Sequence, residues 1–339
     1  EKAAKYVEPE SPIFFLPKQS NNFIYLSERD GFNHAYLYDI DGNMIDRLTS
    51  GEWMINSIEG FNDKGSEVYF YATKDSPLGQ NLYACNLKNK KIRRCTPEKG
   101  THHVSFNSAG TLFLDSYSSS TQARRVVLYN DKAKELKQLH QSEDPWTKLD
   151  KPQIDVFTIK AKDGTDLYAR MIKPINFDVN KKYPVIVYVY GGPHAQLITD
   201  TWLSGANNFF LFLAQQGYIV WTVDSRGSAN RGYEFESAIW RNCGSIEVSD
   251  QMDGVNYLKS LPYVDAERIG VDGWSYGGFM TISLKLKNPG VFKTATAGGP
   301  VIDWKWYEIM YGERYMSSPE DNPEGYEKAS LLNYANQLE

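Results

Sequence analysis

The first part of the chain alternates short apolar runs with polar turns, and the alternation repeats. The apolar run at residues 23–26 returns at 68–71 and 112–114, in steps of about 45 residues. A second apolar strand follows each run, at residues 35–38, 81–84 and 126–129. Turn residues such as Asp41-Gly42 come after these strands. Short aromatic and β-branched strands with this period are typical of β-propeller blades.

Three repeats do not close a propeller, which typically has four to eight blades. We therefore expect earlier blades outside the 339 residues given. The alternative interpretation is an open sandwich of about nine or ten strands, which short strands with alternating patterns also allow.

From Ile154 onward the pattern changes to alternating strands and helices. Residues 185–190 are continuously apolar, as in a parallel strand covered on both faces. Further predicted elements are a helix at 209–216 closed by Gly217, a strand at 218–223, a helix with Val248, Met252, Val255 and Leu258 on one face, and strands at 268–272 and 292–297. This alternation predicts a doubly wound α/β domain.

Candidate chemistry lies in Gly273-Trp274-Ser275-Tyr276-Gly277-Gly278. A bare G-x-S-x-G pattern is weak evidence by itself, and the alternative is a Gly-Ser surface turn. Here it follows a predicted strand and opens a predicted helix at 279–287, which is the context of a nucleophile elbow. Glycines flank such a serine because its backbone is strained and the neighbouring elements approach closely.

We predict an all-β plus α/β fold, with about three C-terminal propeller blades at residues 1–148 and an incomplete α/β-hydrolase catalytic domain at 149–339.

A second motif, Tyr190-Gly191-Gly192-Pro193, ends the first long strand of that domain. In α/β-hydrolases the loop at this place contributes to the oxyanion hole. The Tyr190 hydroxyl either donates a hydrogen bond in the oxyanion hole, or it belongs to a buried aromatic residue and bonds to another group. Position alone leaves both interpretations open.

Composition excludes several classes of function. The net charge of −5 offers no basic field for nucleic acid. The longest apolar run, at 185–190, is far shorter than the roughly 20 residues of a membrane span, and the first residues carry no apolar signal core, so we interpret the chain as a mature or excised piece. The three cysteines lack metal-ligand spacing, and no metal or cofactor is expected. A hairpin could bring Cys85 and Cys95 together, so a cross-strand disulfide stays open.

Several segments of the sequence point to one family. They are the motifs at 190–193 and 273–278, the segments at 224–228, 247–251 and 304–316, and the repeats of the first part of the chain. Together they make nearly the whole chain resemble the prolyl oligopeptidase superfamily of serine peptidases, most of all its dipeptidyl peptidase IV branch. The resemblance implies a propeller that admits only peptides to the hydrolase. It also implies release of N-terminal dipeptides from peptides with Pro or Ala at the second position.

The resemblance assigns roles residue by residue. Ser275 would be the nucleophile, with the Tyr190 hydroxyl and the backbone N–H of Tyr276 as oxyanion donors. The residues that would line the proline pocket are Val301, Trp304, Tyr307 and Tyr311, although a Trp/Tyr stripe at a helix is also typical of a core. Phe23 would be a propeller aromatic that contacts the substrate, or a residue of a blade core.

The sequence also departs from the family pattern. The family binds the substrate amine with a pair of glutamates on a propeller insertion, and no two glutamates are adjacent here. All five histidines precede Ser275, whereas α/β-hydrolases carry the triad acid and histidine after the serine. We interpret Asp303 and Asp321 as cap or loop residues. We therefore expect a fragment that lacks the early blades and the triad Asp and His, and that is inactive alone.

Other implications rest on the resemblance only. They are a homodimer when full length and a periplasmic or secreted location, beside the absence of a membrane span and of a nucleic acid partner that composition already predicts. The alternatives are a prolyl endopeptidase or an acylaminoacyl peptidase on the same architecture, or a non-catalytic propeller and hydrolase protein used for binding. An intact strained elbow favours catalysis.

Overall fold

The computed structural model describes residues 5–7, 13–17 and 21–338 of the chain. They fall into two compact units. The first contains the chain up to Asp144 with Thr199–Gly205 and Asn230–Glu234, and the second contains Pro145–Ile198, Ala206–Ala229 and the chain from Phe235. The predicted division at residues 148 and 149 stays a prediction.

The first unit consists of three antiparallel sheets of four strands each, within the part of the chain that the structure describes. In each sheet, strands that follow one another along the chain are hydrogen-bonded neighbours. The strands are β1 (Phe14–Phe15), β2 (Asn22–Ser27), β3 (His34–Asp39), β4 (Met44–Arg47), β5 (Ile55–Phe61), β6 (Glu67–Ala72), β7 (Asn81–Asn86), β8 (Ile92–Arg94), β9 (Thr101–Phe106), β10 (Leu112–Ser118), β11 (Arg125–Asn130) and β12 (Glu135–Gln141). Repeated four-stranded meanders are the organisation predicted for propeller blades, and the sandwich alternative is wrong.

The apolar cores of the first unit lie between consecutive sheets. In β6, Val68 and Phe70 join a cluster that includes Ile24 of the first sheet, while Tyr69 and Tyr71 belong to a cluster that reaches the third sheet. Successive side chains of a strand point to opposite faces, so one strand supplies both cores.

The same alternation decides the state of the cysteines. Cys85 packs in the cluster between the first and second sheets, whereas Cys95 packs on the other face with Tyr69 and Leu82. Both are buried free thiols, as is Cys243. The disulfide that the hairpin allowed is absent because the two side chains project from opposite faces of one sheet.

The second unit is built on a six-stranded sheet in the order β13-β14-β16-β15-β17-β18. Its first two strands are antiparallel to their neighbours and the other four are parallel. Its strands are β13 (Ile154–Lys160), β14 (Asp166–Ile172), β15 (Tyr183–Tyr188), β16 (Ile219–Asp224), β17 (Val264–Trp274) and β18 (Thr294–Gly298).

Helices cover this sheet, as the continuous apolar strands predicted. All six residues of β16 are buried; α1 contacts this strand, and α4 contacts β17 and β18. The helices of the described chain as a whole are α1 (Asn208–Gln215), α2 (Tyr233–Glu236), α3 (Ile246–Ser260), α4 (Tyr276–Lys287), α5 (Ile309–Met316) and α6 (Pro323–Ala329), with short 3-10 helices at Pro145–Lys148, Ser237–Ile239, Trp304–Trp306 and Leu331–Gln337, and a turn with positive φ angles at Trp202–Gly205. Among the described residues, no helix combines the length and the apolar character that crossing a bilayer requires.

Candidate active site

Ser275 occupies a tight turn between the end of β17 and the start of α4. Its backbone has φ 61° and ψ −118°, in the positive-φ region that a residue with a side chain rarely adopts. The Ser275 N–H donates to the carbonyl of Gly298 on the neighbouring strand, at 2.8 Å. The surrounding elements therefore hold a strained backbone in place and leave the Ser275 side chain partly exposed at the carboxyl end of the sheet.

The glycines of the motif are required by close packing. A Cβ on Gly273 would lie 2.4 Å from the Gly277 carbonyl oxygen, and one on Gly277 would lie 2.4 Å from the Val189 oxygen. A Cβ on Gly278 would lie 2.6 Å from the Gly298 oxygen. Because these neighbours are backbone atoms, they cannot rotate away. Helix α4 can therefore approach the sheet this closely only if these three positions carry no side chain.

Gly273→Ala is expected to lower the free energy of unfolding of the full-length protein by about 3 kcal/mol or more, since it forces backbone atoms apart. Thermal unfolding measures this loss. Gly312→Ala in α5 is the matched control, because its nearest non-local atom would be the Tyr326 hydroxyl at 3.5 Å. We expect a change within about 1 kcal/mol there. Equal unfolding temperatures for both variants would contradict the packing argument.

The Tyr190 loop lies beside the elbow. The rings of Tyr190 and Tyr276 have centroids 6.1 Å apart. A Cβ on Gly192 would lie 2.7 Å from Cε1 of Tyr190 and 3.0 Å from Cγ of Tyr276. The second glycine of the loop is therefore needed for two aromatic rings to meet beside Ser275. Among the described residues, none hydrogen-bonds to the Tyr190 hydroxyl.

The far end of this loop is held by Asp224, the last residue of β16. Its carboxylate accepts the N–H groups of Leu197 and Ile198, at 2.9 and 3.0 Å. His194 within the loop donates its N–H to the Gly227 carbonyl, at 2.7 Å. The string at 224–228 thus supports the loop that carries Tyr190.

Tyr276 is the first residue of α4 and is buried. A first helical residue has no carbonyl four residues earlier in its helix, so its N–H is available to a ligand at the positive end of the helix. The Tyr276 hydroxyl donates to Oε1 of Glu247, at 2.6 Å. Burial raises the pKa of Tyr276 well above its ordinary value, so the phenol stays protonated.

Aromatic side chains continue from Tyr276 into the segment that follows β18. The Trp304 ring lies 5.3 Å from that of Tyr276 and stacks on Tyr311 at 5.6 Å. The Tyr307 ring contacts those of Trp304 and Tyr311, with centroids 5.4 and 5.3 Å apart, and Tyr307 is 41% exposed. Val301 is buried. Trp304 is core-like in its burial, whereas Tyr307 presents a free face to solvent.

Phe23 lies in the first unit, where its ring stacks on Tyr38 at 5.5 Å. It borders a cavity of about 280 Å³ together with Tyr25 and Tyr38 of the same sheet and with Ile13, Arg29 and Gly42 beside it. The proposed contact between Phe23 and a substrate stays a prediction.

The histidine and the two aspartates that could be considered as triad partners of Ser275, which are His194, Asp303 and Asp321, bond to other groups. Nδ1 of His194 lies 3.2 Å from the Glu236 carboxylate. Asp303 caps the 3-10 helix Trp304–Trp306, and Asp321 accepts from the Ser318 hydroxyl. The expectation that these aspartates are cap or loop residues is confirmed. Within the described residues no side chain hydrogen-bonds to Ser275, and no group of three or more potential metal ligands occurs.

Glu247, like Asp224, is a site residue for which the sequence alone predicted no role. An acidic residue in the first turn of a helix, as Glu247 is in α3, predicts only that it caps the N–H groups of its own helix. Its partner Tyr276 is 29 positions away along the chain, so the contact itself has no local signal.

The comparisons with known proteins agree with this geometry. Residues 205–339 match the sequence profile of the prolyl oligopeptidase family, and residues 1–124 match that of the dipeptidyl peptidase IV (DPP IV) N-terminal region. Dipeptidyl peptidase 8 from Mus musculus is 34% identical over 299 residues, which cover 84% of this chain and 33% of that protein. The Homo sapiens protein of the same name gives the same values.

Two solved structures share the fold. A Bacteroides ovatus protein assigned as a dipeptidyl aminopeptidase IV is 47% identical with a TM-score of 0.94, over 99% of this chain and 51% of that one. Porphyromonas gingivalis dipeptidyl peptidase 4 is 34% identical with a TM-score of 0.90, over 96% and 46%. The chain spans about a third to about half the length of these relatives. The predicted fold class, propeller blades followed by an α/β-hydrolase domain, is confirmed, and the chain belongs to the prolyl oligopeptidase family.

Proposed function

We propose that Ser275 is the nucleophile of a peptidase that removes N-terminal dipeptides after Pro or Ala. The observation that carries the proposal is the strained turn at Ser275, directly beside an aromatic cluster that begins with Tyr276 and Trp304. A backbone strain of this kind persists where surrounding structure maintains it, and it is typical of functional sites. The names of the similar proteins, which are dipeptidyl peptidases, support the substrate class.

In the proposed reaction, the Ser275 oxygen attacks the carbonyl carbon of the second residue. The C–O bond forms, the peptide C–N bond breaks, and the amine leaves with a proton while the dipeptide stays as an ester on Ser275. Water then cleaves the ester. The serine proton needs an imidazole to accept it, and in α/β-hydrolases the triad acid and histidine follow the serine along the chain.

Charge develops on the carbonyl oxygen during the attack. The Tyr276 N–H at the start of α4 and the Tyr190 hydroxyl are the proposed donors to it. The Tyr190 ring meets the Tyr276 ring, which supports both donors acting at one oxygen. Donors fixed in this way need no reorganisation during the reaction.

The proposed proline pocket uses the flat faces of the aromatic cluster. Stacking of Tyr311 on Trp304 and the edge contacts of Tyr307 leave apolar walls suited to a proline ring. Burial raises the pKa of Tyr311, so its phenol stays neutral and the wall carries no charge.

Tyr311→Ala is expected to weaken discrimination for proline over bulkier residues by about 1 to 3 kcal/mol, the range for apolar pocket contacts. The measurement is kcat/KM for Ala-Pro and Ala-Leu substrates with the full-length protein. Tyr307→Ala should act similarly. A parallel fall for both substrates would assign the aromatics to the core instead.

The direct test of the proposed function is labelling with a fluorophosphonate, followed by identification of the labelled residue. We expect Ser275 to be labelled in the full-length protein, and Ser275→Ala to abolish both labelling and release of Ala-Pro. Substrates with a free and with a blocked amino terminus separate a dipeptidyl peptidase from an endopeptidase. Cleavage of blocked peptides only would contradict the proposed substrate class.

We also propose that the full-length protein is a homodimer with a periplasmic or secreted location. Both statements rest on the resemblance to the superfamily. Sedimentation of the full-length protein and cell fractionation test them.

A further inference from the structure

Glu247 lies beneath the elbow and is fully buried. Its Oε1 accepts the Gly244 N–H at 2.9 Å and the Tyr276 hydroxyl at 2.6 Å. Its Oε2 accepts the Ser245 N–H at 3.0 Å. Three donors that converge on one carboxyl group match an ionised carboxylate, which only accepts hydrogen bonds.

Burial of this carboxylate is costly. No ion pair to Glu247 occurs among the described residues, and the amino group of Lys287 donates to the Gly244 carbonyl instead, at 3.0 Å. Burial raises the pKa of Glu247 while its three donors oppose the shift. An apolar side chain in its place would leave these three donors without a partner, so the carboxylate serves the groups that it holds.

The group that it holds is central to the site. Tyr276 directly follows Ser275, and its ring borders both Gly192 and Tyr190 of the oxyanion loop. The Tyr276 ring also contacts that of Trp304, with centroids 5.3 Å apart. A change in the position of the Tyr276 ring would therefore move the elbow, the loop and the pocket wall together.

We propose that Glu247 is a positioning residue, whose carboxylate holds the Tyr276 hydroxyl and thereby orients the Tyr276 N–H toward the reacting oxygen. This inference rests on the proposed function of Ser275. The α3 N-terminus is then linked to the α4 N-terminus through one side chain, since Glu247 also binds the two N–H groups that precede α3. Glu247 does not touch the substrate in this role.

The test compares Tyr276→Phe, Glu247→Gln and the double variant in the full-length protein. Tyr276→Phe keeps the ring and removes the hydroxyl. We expect each single change to lower both kcat and the rate of fluorophosphonate labelling of Ser275 by about 10- to 100-fold, with KM within about threefold, because a small misplacement of the donor acts mainly in the transition state. The double variant should be no slower than the slower single variant, since Glu247→Gln removes the charge that strengthens the same hydrogen bond that Tyr276→Phe removes.

Tyr183→Phe is the matched control. It also removes one tyrosine hydroxyl with one hydrogen bond, which Tyr183 accepts from the Asp178 N–H at 2.9 Å at the other end of the sheet. We expect labelling within about twofold of the parent protein.

Three results would overturn the inference. They are a labelling rate of Tyr276→Phe within twofold of the parent, additive losses in the double variant, or a loss confined to KM. Tyr276→Phe decides the question even where Glu247→Gln fails to fold. Absence of labelling in the parent protein would instead refute the proposed function, and the inference with it, so the two failures are distinguishable.

Discussion

Tyr190→Phe in the full-length protein is expected to lower kcat by about 10²- to 10³-fold, with KM nearly unchanged. The phenol is proposed to donate to an oxyanion that exists only during the reaction, and the loss of one such donor typically has this magnitude. The ring would remain, and its contacts with Tyr276 and with the backbone at Gly192 would be kept. Steady-state kinetics with an Ala-Pro substrate provide the measurement.

The control for this prediction is again Tyr183→Phe, which removes a hydroxyl distant from the elbow. An increase in KM without a change in kcat would refute the role of Tyr190 as a donor. It would favour the other interpretation of Tyr190, an aromatic residue that serves packing.

Residues 1–339 alone are expected to release no dipeptide from an Ala-Pro substrate. A serine hydroxyl is a weak nucleophile at neutral pH without an imidazole to take its proton, and removal of triad members leaves only binding and oxyanion effects. The expected deficit is about 10⁴-fold or more relative to the full-length protein. Product release by the purified chain, with Ser275→Ala as the background, is the measurement.

The positions of the histidines explain this expectation. His34 and His102 are buried in the first unit, with both ring nitrogens bonded to neighbours there. His194 in the second unit pairs with Glu236. Dipeptide release by residues 1–339 that Ser275→Ala abolishes would show that another group serves as the base, and would contradict the prediction.

Much of the fold could be predicted because it depends on local patterns. The packing of β6 side chains in two cores follows from the pleat of a strand, and the continuous apolar run that became β15 contains no exposed residue. The elbow was also recognisable, since its strain and its need for glycines arise within a few consecutive residues.

Other features depend on which segments meet in space. The sequence left a Cys85–Cys95 disulfide open because spacing does not say which face each side chain takes, and the sheet placed them on opposite faces. The roles of Asp224 and Glu247 were equally inaccessible, because their partners lie on other elements.

The sequence by itself determined the repeating strands, the change to an α/β pattern and the identity of the elbow serine. These features result from side-chain periodicity and backbone conformation, which act over a few residues. Only the tertiary structure decided that Tyr190, Tyr276 and Trp304 form one aromatic cluster and that Glu247 lies beneath it. Such contacts join residues distant along the chain, and they form only when the packing of strands and helices brings the ends of several elements to one edge of the sheet.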